Sequence, residues 1–301
     1  LGAKAHIGKL GDKDAVFVEG GGIIGGETSI SGNVSSQFIS GLMFACPKAQ
    51  VDTEIMLSSP LESEGYVKMT EAVLVNHGVK MLAHQNHIHI SANQTYTPSD
   101  GQVPGDFSSA AFLLAAAAIT SSKVQINNLD YSSVQGDKAI IGILKHMGVN
   151  GKVCADRVEI EGSGSLLKTD EVDAKHIPDL VPAIAVLMCY AKGTSHIFGA
   201  NRLRLKESNR LESLYLELKK MGAQININND GLIIEGGSPL HGAIIDPHND
   251  HRIAMACAVA ALGAEGQTTI EKADCVRKSY PQFFTHLRQI GADVVGGKFD
   301  R

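Results

Sequence analysis

The heptapeptide Arg204-Leu205-Lys206-Glu207-Ser208-Asn209-Arg210 packs four charged side chains into seven positions, immediately ahead of the apolar pattern Leu211, Leu214, Leu218. If Ser208 or a neighbour opens a helix there, Lys206, Glu207 and Arg210 gather at its N-terminus, where unpaired N–H groups and the helix dipole favour an anion. A carboxylate held among cations beside an anion site is arranged for proton transfer. Taken alone, the motif reads better as a solvated helix start with a few salt bridges. Two further segments reverse that balance: Asn249-Asp250-His251-Arg252 at another helix start, and Arg277-Lys278-Ser279-Tyr280-Pro281. Together they bring His, Arg and Lys from three separate places, as expected of a site for a doubly or triply charged small anion.

Ser35-Ser36-Gln37 puts two hydroxyls and an amide on the first turn of a helix, a phosphate-binding set that needs no cation, although Ser-Ser is also an ordinary N-cap. Asp179 follows Pro178 at the equivalent place further on; it is either a helix-dipole partner or a group able to take a proton from a bound hydroxyl. In Asn249 to Arg252 the Asp is expected to cap while His251 and Arg252 project from the first turn. Other segments carry less. The run Gly20 to Gly26 has no Lys-Ser or Lys-Thr and lies between expected strands, so a turn is the better reading than a phosphate loop. His84, His87 and His89 suggest metal ligands, but only His87 and His89 share a strand face and no carboxylate or Cys is near, so no metal is expected.

Composition narrows the classes. With 301 residues the chain can bury a large core. A net charge of −5 and 20% charged residues speak against nucleic-acid or membrane-surface binding, so the cations that matter must be local. No apolar run reaches spanning length and no signal peptide is visible. The five cysteines are scattered and never spaced C-x-x-C, which suits reduced thiols in the cytoplasm.

The chain also repeats itself. Apolar helical patterns end in Gly followed by Val or Ala at Gly2, Gly78, Gly148, Gly222 and Gly291, at intervals of 76, 70, 74 and 69 residues. Short alternating strands follow three of them: His87 to Ile90, Arg157 to Ile160 and Leu232 to Ile234. Helix starts at Ser35, Ser108, Pro178 and Asn249 share the same spacing, at 73, 70 and 71 residues. Each unit reads strand, helix, strand, helix, strand, strand, an α/β architecture of globular lobes rather than a thin solenoid. A conventional doubly wound sheet fits less well, because each unit ends in two short strands. The Pro- and Gly-rich stretch from Pro98 to Gly105 places a domain boundary near residue 103.

Taken together, Ser35-Ser36-Gln37-Phe38, Gly105 to Ala110, Gln135-Gly136-Asp137, His176 to Asp179, Arg204 to Arg210, Asn249 to Arg252 and Lys278 to Pro281 resemble the 5-enolpyruvylshikimate-3-phosphate synthase family, in the family's order and across essentially the whole chain. The resemblance implies two lobes of three βαβαββ units each: residues 1–103 as the remainder of the shikimate-phosphate-binding lobe, and 104–301 as a lobe of three units. It implies transfer of the enolpyruvyl group of phosphoenolpyruvate to the 5-hydroxyl of shikimate 3-phosphate, with release of phosphate, by a cytoplasmic monomer that needs no cofactor. By position, Asp179 matches the proton acceptor and Glu207 the proton donor. Ser35, Ser36 and Ser63 match ligands of the shikimate phosphate, with Lys206 near the same phosphate, Gln37 at the ring and Tyr66 lining that pocket. Arg210, Arg252 and Lys278 match the phosphoenolpyruvate-binding cations, with His251 beside them. Arg202 stands where some members have Asn.

Only five glycine landmarks occur where six units are implied, so about 130 residues of the family pattern are expected upstream of residue 1. That portion carries a Lys-Ser pair, a Gly-rich loop and further arginines in the family. Two alternatives are the sister transferase acting on UDP-N-acetylglucosamine, and a catalytically incomplete substrate-binding fragment.

Overall fold

In the computed structural model, which describes residues 1–163, 165–168 and 170–296, the chain falls into two units, Leu1–Gln102 and Val103–Arg301. The first opens with an antiparallel hairpin, β1 (Lys4–Leu10) and β2 (Lys13–Glu19). Then β3 (Gly26–Ile30), α1 (Ser36–Ala45), β4 (Thr53–Leu57), α2 (Glu64–Asn76), β5 (Met81–His84) and β6 (His87–Ile90) make one complete βαβαββ motif. Its sheet runs β3-β4-β6-β5, with the first pair parallel and the others antiparallel. Ile55 and Leu57 of β4 and Ile88 and Ile90 of β6 face the core with Ile39 and Met43 of α1 and Val67 and Leu74 of α2, which is the period-2 burial of a sheet covered on one side.

The other face of that sheet holds a correction. The Glu54 carboxylate, contributed by the neighbouring strand, accepts from His87 Nε2 at 2.5 Å and from His89 Nδ1 at 2.7 Å. A carboxylate is therefore near these histidines, brought opposite His89 by the β4–β6 register. No group of three or more candidate ligands able to hold a metal ion occurs among the described residues.

The second unit continues the theme. Helix α3 (Phe107–Ile119), β7 (Lys123–Asn127), α4 (Ala139–His146), β8 (Asn150–Val153) and β9 (Arg157–Glu161) form one motif with an antiparallel sheet β7-β9-β8. Next come β10 (Leu166–Leu167), β11 (Glu171–Asp173), α5 (Val181–Tyr190), β12 (Ala191–Phe198), α6 (Arg210–Lys220), β13 (Gln224–Ile227) and β14 (Leu232–Gly236). Here β11 pairs parallel with β12, and β12, β14 and β13 follow antiparallel, the pairing pattern of the first unit's sheet. The last motif has β15 (Ile244–Ile245), α7 (His251–Ala261), β16 (Thr269–Ile270) and α8 (Phe283–Gln289), with β15 parallel to β16.

Gly78, Gly148 and Gly222 adopt φ of 81°, 80° and 94° just past α2, α4 and α6, and each leads into a hairpin. This left-handed position at a helix C-terminus is one that an L side chain resists, which is why the sequence period is marked by glycine.

Helices α3, α5 and α7 are buried almost all round and pack against one another. Their sequences are rich in Ala and carry no charge beyond the first turn of each, as a helix with no solvent face requires. Polar chemistry is thereby confined to their N-terminal ends. No helix of the described residues is long and apolar enough to cross a membrane.

Candidate active site

Helix α6 starts one residue later than a Ser208 cap would give. Asn209 is the N-cap, its Oδ1 accepting from the Glu212 backbone N–H at 3.5 Å while its Nδ2 donates to the Glu212 carboxylate at 3.1 Å. Residues Asn201–Leu205 form a separate 3-10 turn that carries Arg202. Lys206 and Glu207 consequently stand on the link between turn and helix, and Arg210 is the first helical residue.

A cation in that position opposes the helix dipole, and three carboxylates offset it. Arg210 Nε donates to Asp250 Oδ2 at 2.7 Å, Nη1 to Asp179 Oδ1 at 2.8 Å, and Nη2 to Glu207 Oε2 at 2.5 Å. The Arg210 side chain is only 1% exposed and Asp250 is fully buried. Asp250 serves two elements at once, because its Oδ1 also accepts from the Arg252 backbone N–H at 2.9 Å and so caps α7. The loop ahead of this cap is tied to α6. Buried Glu217 accepts from the Asp246 N–H at 3.1 Å and from His248 Nε2 at 2.9 Å, and His248 and Asn249 both take left-handed φ.

Arg252 draws the helix ends together. Its Nη1 donates to the Asp179 carbonyl at 3.1 Å; its Nη2 donates to Asp179 Oδ2 at 3.3 Å and to Ser108 Oγ at 3.0 Å. The Ser108 hydroxyl in turn donates to Asp106, the N-cap of α3. Gln135 holds this entry by accepting from Phe107 N–H at 3.0 Å and donating to the Gly105 carbonyl at 2.8 Å. The starts of α3 and α7, and the turn Pro178–Leu180 before α5, thus meet at one guanidinium.

Lys206 Nζ lies 3.5 Å from Asp179 Oδ1, and Lys278 Nζ lies 2.8 Å from Glu207 Oε1. Lys278 is 56% exposed, the most open cation of the set. His251 is buried, its Nδ1 3.8 Å from Asp250 Oδ1 and without a hydrogen-bond partner. Burial raises the Asp179 carboxyl, but the charges of Arg252, Lys206 and Arg210 outweigh it and hold the group well below the usual carboxylate range. Burial likewise raises Glu207, yet the Lys278 hydrogen bond and the Arg210 charge bring it down to about 2. Burial and the Arg252 charge push His251 down to about 4, so its imidazole is neutral at pH 7. Four cations (Lys206, Arg210, Arg252, Lys278) against three carboxylates (Asp179, Glu207, Asp250) leave one net positive charge in the cluster. Such a site can take an anion, with an ionised base in Asp179 and a second carboxyl in Glu207.

In the first unit, Ser35 caps α1, its Oγ accepting from the Gln37 N–H at 3.3 Å, and Ser36 is buried in the first turn. Ser63 precedes α2 in a left-handed conformation with φ 55°, and the Tyr66 N–H donates to its carbonyl. Ser59 links the two approaches. Its Oγ accepts from the N–H groups of Gly32 and Asn33 at 3.0 and 3.2 Å and lies 3.2 Å from Ser31 Oγ. A Cβ on Gly32 would stand 2.6 Å from the Ser59 carbonyl oxygen, so the loop before α1 can approach the loop before α2 only with glycine there.

The structure therefore brings Asp179, Lys206, Glu207, Arg210, Arg252 and Lys278 into one connected cluster, with His251 at its edge. Ser35, Ser36, Gln37, Ser63 and Tyr66 lie at the starts of α1 and α2. Sequence reasoning passed over Asp250 as more than a cap, Ser108 as a partner of Arg252, and Ser59. The first two stand in motifs singled out above; Ser59 carries no local signal.

The model of the EPSP synthase (3-phosphoshikimate 1-carboxyvinyltransferase) family matches residues 1–287. The chain is 45% identical over 294 residues to the 3-phosphoshikimate 1-carboxyvinyltransferase of Methanocaldococcus jannaschii, covering 98% of this chain and 68% of the relative. It is also 45% identical to that of Methanocella arvoryzae, covering 98% and 69%. A solved EPSP synthase from Acinetobacter baumannii matches with a TM-score of 0.76 at 28% identity, over 96% of this chain and 68% of that one. The chain thus spans about two thirds of the length of these relatives.

Proposed function

The chain belongs to the EPSP synthase family, and we propose that the cluster around Arg210 holds the acid and base of that enzyme's reaction. The reaction transfers the enolpyruvyl group of phosphoenolpyruvate to the 5-hydroxyl of shikimate 3-phosphate and releases phosphate. Asp179 accepts the hydroxyl proton as the oxygen adds to the enol carbon, and Glu207 gives a proton to the methylene carbon. Elimination then removes a proton from the new methyl group and expels phosphate. Arg210, Arg252 and Lys278 hold the anionic groups of phosphoenolpyruvate, with His251 beside them, and cations kept at fixed places stabilise the charge that builds up during addition. Lys206 and, less directly, Arg202 serve the shikimate side. Ser35, Ser36 and Ser63 bind the shikimate phosphate, with Gln37 and Tyr66 along the ring.

One observation carries this reading: a single buried guanidinium, Arg210, donates to both Asp179 and Glu207. It fixes two carboxylates of separate elements in one site, as a reaction with one base and one acid requires. The test is phosphate release with phosphoenolpyruvate and shikimate 3-phosphate together. Release that needs both substrates supports the reading; release with UDP-N-acetylglucosamine in place of shikimate 3-phosphate would replace it with the sister reaction.

A further inference from the structure

A proton donor must hold a proton, and Glu207 is held between two cations that favour its ionised form. Its Oε1 accepts from Lys278 Nζ at 2.8 Å and its Oε2 from Arg210 Nη2 at 2.5 Å. Burial opposes ionisation, but these contacts prevail and the carboxyl titrates at about 2. In this arrangement Glu207 has nothing to give.

The two cations differ in freedom. Arg210 is 1% exposed and is also pinned by Asp179 and Asp250. Lys278 ends the turn Ala273–Lys278, is 56% exposed, and makes this one ion pair among the described residues. An incoming anion can take the Lys278 ammonium without dismantling anything else.

We propose that Lys278 controls the proton on Glu207: an anionic group of phosphoenolpyruvate draws the ammonium away, and Glu207 takes up a proton from water as the substrate binds. One N–H···O contact moves from Glu207 to the ligand, one proton moves from solvent to Glu207, and no other bond changes. Loss of a cation and arrival of an anion both raise a carboxyl's affinity for protons, toward the range where a general acid works at neutral pH. The other charged groups around Glu207 are accounted for. Lys206, on the same link, lies against Asp179 at 3.5 Å. Asp179 and Asp250 connect to it through Arg210. His251 on α7, neutral and buried, is the competing proton acceptor, since an added anion favours its protonation too.

The proposal rests on the assignment of Glu207 as donor above. It is tested by titrating phosphoenolpyruvate into the protein by calorimetry at pH about 7, in buffers of different ionisation enthalpy. The wild type is expected to take up more protons than Glu207→Gln, by about a few tenths of a proton up to one; this difference removes the ligand's own ionisation. Lys278→Met, an exposed change, is expected to bind more weakly, and its ligand-free Glu207 should protonate at a higher pH than the wild type's in an infrared titration, because it has already lost the cation; an unchanged titration overturns the control by Lys278. An infrared difference spectrum of the wild type alone should gain a protonated-carboxyl band on ligand addition. Equal uptake by wild type and Glu207→Gln overturns the proposal, as does uptake that survives in Glu207→Gln and vanishes in His251→Asn. Binding without that uptake leaves the proposed function standing, whereas failure to bind phosphoenolpyruvate overturns both.

Discussion

Arg210 and Asp250, 40 residues apart in sequence, meet over 2.7 Å with 1% and 0% of their side chains exposed. The contact joins the first residue of α6 to the cap of α7, so one buried carboxylate neutralises a cation and sets the start of a helix at the same time. Arg252 and His251 take their places from that cap.

Asp250→Ala should therefore destabilise the fold by about 3–5 kcal/mol, the cost of leaving a buried charge without its partner. The lost cap contributes about 1 kcal/mol of a similar kind, and the two are not simply additive because one group supplies both. Asp250→Asn keeps an oxygen for the cap and should cost less. Urea midpoints of the three proteins check the order, and a wild-type midpoint for Asp250→Ala would show that Arg210 is satisfied without Asp250.

Glu207→Gln keeps shape and hydrogen bonding but removes the proton. Turnover should fall about 10²–10⁴-fold, while Gln still accepts from Lys278 or Arg210 and the fold is retained. The comparison is of kcat for phosphate release together with the circular dichroism spectrum. Equal kcat would remove Glu207 from the chemistry.

The periodic glycines and apolar helix faces were legible because they are local: a left-handed helix end demands Gly, and a helix buried all round cannot carry charge. Where two good caps stand side by side, as Ser208 and Asn209 do, sequence could not say which would win, and the start of α6 moved by one residue. The burial of Arg210 was hidden for another reason. Arginine is rarely buried, and it becomes so here only because Asp179, Glu207 and Asp250 arrive from three places in the chain. Glu54 reached His87 and His89 through strand register across more than 30 residues, which no spacing along the chain reveals.

Ser36→Ala is expected to weaken shikimate 3-phosphate by about 1.5–3 kcal/mol, as for a hydrogen bond to a charged group, while unphosphorylated shikimate is little affected. Ser36 is buried in the first turn of α1, where Ser35 already supplies the cap, so the loss should appear in ligand binding more than in stability. Paired dissociation constants for the two ligands decide it. An equal loss for both would leave Ser36 a purely structural serine.

Acid stability should fall in two stages. His251 titrates at about 4 in the fold against an ordinary value of 6.5, so between those values the unfolded chain binds a proton that the native protein does not. Its contribution is fully present above pH 6.5 and is lost as pH falls to about 4. Glu207 works lower: its folded value of about 2 lies below the ordinary 4.5, and its contribution disappears as pH falls through that second range. His251→Gln keeps a polar side chain of similar reach but cannot titrate, so its urea midpoint should stay nearly flat between pH 6.5 and about 5, above the Glu207 range, where the wild type declines. Below pH 4 the two proteins should fall in parallel, because Glu207 is untouched. A wild-type decline that persists in His251→Gln over the upper range would assign it to another group.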